Sequence, residues 1–331
     1  MLGERALQQA GFEQFMLVPE QTVADPDFTT VQSPNPEEHS AFEYAIRLGE
    51  KEGADLLIAT DPDADRLGAA VRQPDGSYKV LTGNQIGALM IQYILEAHQS
   101  RGTLPENAAV LKSIVSSELP AAIAESYGAT MINVLTGFKF IAEKIHQFEK
   151  DHSHTFMFGF EESYGYLVKP FVRDKDAIQA LLLLAEVAAF YKKQGKTLYD
   201  GLQMIFEKYG YFAEKTISVT MSGQEGSAKI AALMKKFRDH APSEFAGAKV
   251  LQTEDFKELT KTDSAGRVEK LTTPPSDVLK YVLEEHGWVA IRPSGTEPKI
   301  KFYIGVKGNS AQEAQEKIDT YEAIIKSMTE E

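Results

Sequence analysis

The sequence predicts an α/β protein: two mixed-sheet α/β domains followed by a smaller α+β domain at the C-terminus. Three observations carry this. Apolar residues alternate between helical and strand spacing from Leu2 to about residue 210. The short apolar strands there end in polar loops that are rich in acid or glycine. The last third mixes alternating strands with polar loop stretches and closes on a long amphipathic helix. At 331 residues the chain exceeds one ordinary domain. We expect domains at 1–83, 84–210 and 211–331.

Leu2, Ala6, Leu7 and Ala10 share one helical face, and Gly11 suits the C-terminal cap. Phe15–Val18 then reads as a strand. Asn35 can cap a helix that starts at Pro36, with Glu37 and Glu38 at its positive end and Phe42, Ala45 and Ile46 buried. Ala54–Thr60 is mainly apolar and reads as a parallel-type strand. The chain therefore opens on a helix with no strand before it. Ile86–Ala97 is an amphipathic helix. Ala109–Val115 reads as a strand, with Ser116 or Ser117 capping the helix near Leu119. Thr130–Val134 and Thr155–Phe160 are strands, and Ala177–Lys192 is a buried helix with Asp174 or Asp176 as its cap. In the last third, Ile217–Met221, Trp288–Ile291 and Ile300–Val306 read as strands. Ser227–Phe237 and Ser310–Met328 read as helices.

Composition excludes some classes. The formal charge is −13, from 35 basic and 48 acidic residues, which argues against a nucleic-acid binder but not against small anions. There is no cysteine, so thiolate sites and disulfides are absent and a reducing, cytoplasmic setting fits. The most apolar run, Ala177–Val187, is interrupted by Gln179 and Glu186 and is too short to span a bilayer.

Two loops carry the strongest signals. TDPDADRLG at 60–68 packs Asp61, Asp63 and Asp65 just after a strand, where α/β sheets gather their ligands. Three such charges repel unless a cation neutralises them, and Mg²⁺ takes a few carboxylates plus phosphate oxygens. In an extended loop the alternate positions point to one side. A solvated acidic turn is the plain alternative. An EF-hand fails, because its sixth position is Arg66, its twelfth is Arg72, and a strand flanks it. RPSGTEPK at 292–299 offers hydroxyls and backbone N–H groups in a tight turn with Arg292 at its mouth, a nest for phosphate. An ordinary hairpin turn is its alternative. Glu161 and Glu162, straight after a buried strand, suit acceptance of sugar hydroxyls. Arg173 and Lys175 sit before a helix, where cations are disfavoured.

DPDADR, GFEESYG and RPSGTEP, in this order, resemble the α-D-phosphohexomutases, the phosphoglucomutase/phosphomannomutase enzymes. The resemblance covers nearly the whole chain. It implies domains two, three and four of a four-domain enzyme, the second clipped at its start. It further implies phosphate transfer between the 1- and 6-hydroxyls of a hexose, through glucose 1,6-bisphosphate or a similar bisphosphate and an active-site phosphoserine. By this resemblance Asp61, Asp63 and Asp65 match the Mg²⁺ ligands, with Arg66 beside them. Lys175 matches a basic residue near the reacting phosphate. Thr136, Gly137, Lys139, Glu161 and Ser163 match sugar contacts. Arg292, Ser294, Gly295 and Thr296 match the loop for the non-reacting phosphate, and Lys299 is a weaker addition. PNPEE at 34–38 is also family-like, though it reads as helix capping.

The family's serine loop resembles T-A-S-H-N-P, and no such run occurs here. The expectation is a mutase part, preferably of glucose type, that is inactive without its first domain. Its partners would be a hexose phosphate and that domain. A non-catalytic sugar-phosphate binding or regulatory protein is the rival. An aspartyl-phosphate phosphatase fits less well, since Asp65 stands where Thr or Val is wanted.

Overall fold

The computed structural model describes residues 2–221, 226–295 and 297–330. The chain divides into two compact units, Met1–Tyr209 and Gly210–Glu331.

The first unit holds two sheets. Leu56–Thr60, Leu67–Arg72 and Tyr78–Val80 form a three-stranded sheet in sequence order. Both pairings are antiparallel, so the parallel reading of 54–60 is corrected. A short apolar run such as Leu56–Ala59 reports burial and not direction. Direction is set here by residues 61–66, which turn the chain straight back. Phe42, Ala45, Leu57 and Ala70 form the core of this layer. Phe15–Val18 is not a strand: Val18 is extended and packs on this core, but the segment joins no ladder among the described residues. The helix expected from Pro36 begins only at Glu43, after a 3₁₀ turn at His39–Phe42. Asn35 does cap, but it caps a turn, its Oδ1 accepting from Glu37 N at 3.0 Å.

The second sheet runs Thr130–Val134, Ala108–Ser113, Thr155–Glu161, Gly165–Leu167. Its first three strands are parallel and the last is antiparallel. Ala109, Leu111 and Val134 face the helix Phe138–Asp151 through Phe138, Ile141 and Ile145. The helix Gly83–Ser100 meets the same sheet at Thr155–Glu161. Its start is fixed by a reciprocal cap in which Thr82 Oγ1 accepts from Gln85 N and Gln85 Oε1 accepts from Thr82 N. The apolar helix Ala177–Lys193 is buried as expected and is capped by Asp176, whose Oδ1 accepts from Ile178 N and Gln179 N. Leu2–Gln9 packs against that helix.

The second unit is an antiparallel sheet whose main path runs Val268–Lys270, Thr260–Asp263, Ala248–Asp255, Leu279–Leu283, Trp288–Pro293, Lys299–Gly308, Tyr211–Thr220. The helices Gly226–Asp239 and Ala311–Glu330 contribute Ile230, Met234, Ile318 and Ile325 to the core of Leu279, Ile291, Phe302 and Ile304. These are the mixed-sheet α/β layers and the α+β C-terminal domain that the sequence predicts. Among the described residues no helix is long and apolar enough to cross a membrane.

Candidate active site

The acidic loop is a turn and not the extended segment that alternate spacing suggests. Ala64 lies in the left-handed region (φ 58°) and its N–H donates to Asp61 O at 3.1 Å. Asp61 organises the turn, its Oδ1 accepting from Asp65 N at 3.0 Å and Arg66 N at 2.9 Å. Curling the loop brings one oxygen each of Asp61, Asp63 and Asp65 within 4.8 Å of one another. Opposite ligands on an octahedral Mg²⁺ lie about 4.2 Å apart, twice its metal–oxygen distance. An all-oxygen set spanning up to 4.8 Å is of the kind a hard divalent cation takes, and would draw in by about half an ångström around Mg²⁺. Burial, added to by the charges of Asp65 and Asp63, pushes the Asp61 carboxyl up to about 6. A bound cation relieves that cost.

Two side chains named from the sequence meet this turn. Arg66 Nε lies 3.9 Å from Asp61 Oδ2 and 3.8 Å from Asp65 Oδ1. Lys175 Nζ lies 2.9 Å from Asp65 Oδ2 and 3.0 Å from Asp174 Oδ1. Burial alone lowers the Lys175 ammonium, but the bonds to Asp65 and Asp174 outweigh it and hold it above the usual lysine range. Lys175 therefore stays charged. Its cationic position before a helix, unfavourable by itself, is explained by Asp65.

The GFEESYG loop is stitched to the acidic turn. Leu67 N donates to Tyr164 O at 3.0 Å, Arg66 bridges Gly165, and Ala177 N donates to Ala64 O at 2.9 Å. Gly165 has a specific reason to be glycine. A Cβ there would fall 2.2 Å from Lys175 Cδ, so the lysine reaches Asp65 by lying across the bare backbone. Gly165→Ala is expected to cost about 1–2 kcal/mol by overpacking. In a Lys175→Ala background the cost should vanish; thermal unfolding of the two variants and their double checks it.

Glu161 is buried, and its Oε1 accepts from Gly137 N at 2.6 Å, which joins the TG stretch at 136–137 to the GFEESYG loop. Burial first, then the neighbouring Glu162 charge, pushes its carboxyl up to about 6. Thr136 Oγ1 is buried without a hydrogen-bond partner, an acceptor and donor still unspent. Ser163 is half-buried in the turn before Tyr164. Lys139 is exposed and lies over the Phe140 ring at 5.0 Å. Arg173 pairs with Glu149 and does not join this cluster.

Sequence reasoning missed what holds Glu162. Its Oε2 accepts from Ser113 Oγ at 2.8 Å and Ser116 Oγ at 3.2 Å, and its N–H donates to Ser116 Oγ at 3.1 Å. Buried Lys112 donates to Ser116 O and to Glu118 Oε1, each at 3.1 Å. Ser116 is thus no helix cap. Ser117 partly is, accepting from Leu119 N at 3.1 Å, although the capping position falls on Glu118. A serine pair before a helix has the same signature either way.

In the second unit, Arg292 ends its strand half-buried and pairs across the ladder with Lys301. Ser294 N donates to Lys299 O at 2.8 Å and Ser294 Oγ accepts from Glu297 N at 3.3 Å, closing a tight loop around exposed Gly295. Lys299 lies 3.0 Å from Glu297, which offsets its charge. Thr296 lies outside the described residues.

Comparison with known proteins agrees along the chain. Residues 1–76 and 82–209 match the phosphoglucomutase/phosphomannomutase α/β/α domains II and III, and 242–323 match the C-terminal domain of the same family. A phosphoglucomutase of Staphylococcus aureus (strain USA300) is 45% identical over 316 residues, covering 95% of this chain and 56% of that protein. The Staphylococcus epidermidis phosphoglucomutase is 45% identical over 301 residues, covering 91% and 54%. The chain thus spans little more than half the length of these relatives. Among solved structures, the Paramecium phosphoprotein pp63/parafusin, a phosphoglucomutase in open form, superposes with a TM-score of 0.63 at 17% identity, covering 99% of this chain and 55% of its own. A phosphoglucomutase/phosphomannomutase family protein of Burkholderia thailandensis gives 0.56 at 16%, covering 89% and 51%. With three successive domain models matched and nearly half the residues shared with a curated relative, the chain belongs to the α-D-phosphohexomutase family.

Proposed function

We propose that this chain supplies the metal, sugar and distal-phosphate sites of a phosphohexomutase, of phosphoglucomutase type, in the cytoplasm. The convergence of the acidic turn, Lys175 and Glu161 within one compact unit carries the reading. In it, residues 1–83, 84–210 and 211–331 act as three domains, one per ligand element.

Asp61, Asp63 and Asp65 would hold Mg²⁺, which supplies charge neutralisation for the transferring phosphoryl group. Lys175, kept protonated, stands beside Asp65 to counter phosphate charge or to give a proton to the leaving oxygen. Arg66 adds a second fixed cation. Glu161, with Ser163, Thr136 and Lys139 near the same loops, accepts and donates to sugar hydroxyls. Arg292 with Ser294, Gly295 and Thr296 binds the phosphate that does not react.

The reading assigns the phosphoserine to a domain outside these 331 residues. Residues 1–331 are then expected to bind hexose phosphate without turnover. The test is conversion of glucose 1-phosphate to glucose 6-phosphate with Mg²⁺ and glucose 1,6-bisphosphate. No turnover alone, restored by adding the N-terminal half of a full-length relative, is the expected result. Turnover alone would overturn the assignment of the nucleophile. Binding that no added domain converts to turnover would favour a non-catalytic sugar-phosphate binder. Arg292→Ala is expected to weaken glucose 1-phosphate binding roughly tenfold, the order of one charged hydrogen bond. Unchanged affinity by calorimetry refutes the phosphate-loop assignment.

A further inference from the structure

The segment PNPEE at 34–38 has a role that helix capping does not cover. The Arg66 guanidinium donates through Nη1 to Glu37 Oε1, a contact across 29 residues of chain. The same guanidinium presents Nε toward Asp61 and Asp65 at 3.8–3.9 Å, longer than hydrogen-bond distance. Glu37 is held in place by its own segment, because Asn35 Oδ1 accepts from Glu37 N at 3.0 Å. That segment in turn sits on the strand that follows the acidic turn. A Cβ at Gly68 would fall 2.8 Å from both Pro36 Cβ and Pro36 O, so this glycine is what admits the PNP backbone. Gly68, the last residue of DPDADRLG, and Asn35–Glu37 of PNPEE thus serve one contact.

We propose that Glu37 is a positioning residue. It draws the Arg66 fork outward, so that the guanidinium flanks the acidic turn without closing on it. The argument is geometric. An arginine fork pairs two carboxylate oxygens at about 2.8 Å when nothing restrains it, and such bidentate pairs are the stronger kind. Asp61 and Asp65 stand one short swing from Nε. An Arg66 that closed on them would spend the oxygens the cation needs. With Glu37 in place, five carboxylates (Glu37, Asp61, Asp63, Asp65 and Asp174) face two cations (Arg66 and Lys175) at this turn. The cluster keeps a net negative charge even with both cations counted, which a divalent ion offsets. This rests on the reading of the turn as a cation site.

The experiment is a double-mutant cycle on residues 1–331 with Mn²⁺ as probe. Glu37→Gln keeps the shape and removes the charge. It is expected to weaken Mn²⁺ binding roughly tenfold, a coupling typical of residues in direct contact. In an Arg66→Met background the same change should have little effect. An equal loss in both backgrounds means that Glu37 acts only as a distant negative charge, and it overturns the proposal. A second readout does not involve metal. The Arg66 Nε–H resonance, assigned by its loss in Arg66→Met, should be protected from exchange and rotationally restricted in the parent chain. In metal-free Glu37→Gln its shift should change to that of a carboxylate-bound arginine. A resonance unmoved by Glu37→Gln refutes the clamp even if no Mn²⁺ binds. A moved resonance without Mn²⁺ binding supports the clamp and sinks only the reading of the cation site.

Discussion

Asp61→Ala is expected to lower Mn²⁺ or Mg²⁺ affinity by at least roughly a hundredfold, more than losing an outer-shell partner usually costs. It should also destabilise the first unit. Asp61 accepts from two backbone N–H groups of its own turn, and its side chain is only 10% exposed. Losing a charged acceptor of that kind costs about 2 kcal/mol. Asp63→Ala separates the two effects. Asp63 is exposed and organises nothing in the turn that Asp61 does not already hold, so this variant should lose metal affinity and keep its melting temperature. Asp61→Asn gives a change of sign. Its Oδ1 can still accept both N–H groups, while the charge that burial and its neighbours penalise is gone. In EDTA this variant is expected to melt higher than the parent; in saturating Mg²⁺ the order should reverse. Calorimetry for affinity and thermal unfolding with and without metal check all three. Equal affinities in parent and Asp63→Ala would refute the cation site.

These variants also show what the sequence could and could not disclose. The three aspartates were legible because like charges at the end of a strand demand a neutralising partner. How they converge was not, since Ala64 at φ 58° is a left-handed residue that no rule of propensity marks. Lys175 stood out because a cation before a helix lacks a local reason, and its reason proved to be Asp65, more than 100 residues away in sequence. Glu37 and Ser116 were hidden by the opposite circumstance. Each has a sufficient local explanation as a helix-end residue, and its actual partner, Arg66 or Glu162, is long-range. The direction of Leu56–Thr60 and the strand expected at Phe15–Val18, which joins no ladder among the described residues, failed for the same cause. Apolar spacing reports burial, whereas ladders depend on which segments meet.

Glu161→Gln should stabilise the first unit and impair its proposed function. The Glu161 carboxyl, buried and beside Glu162, is pushed up to about 6 from an ordinary 4.5. Between those values the native state holds a proton that the unfolded chain has released. The slope of stability with pH is then negative, so stability falls as pH rises from about 4.5 to about 6 and is level above. The ionised carboxylate therefore costs about 2 kcal/mol at pH 8, and under about 1 kcal/mol at pH 5. Glutamine removes that cost and can still accept from Gly137 N. Urea unfolding should show a gain for the variant at pH 8 that shrinks at pH 5. A loss at pH 8, or an equal gain at both, would refute the assignment of the raised carboxyl to Glu161. The functional half runs the other way. A carboxylate accepts strongly from sugar hydroxyls, and a neutral amide does so less well. With the phosphoserine domain supplied, turnover of glucose 1-phosphate is expected to drop at least roughly tenfold at pH 8. A protein retains a charge that weakens its own fold when a ligand uses it. A variant that is more stable and equally active would mean that Glu161 serves only to fix the Gly137 turn.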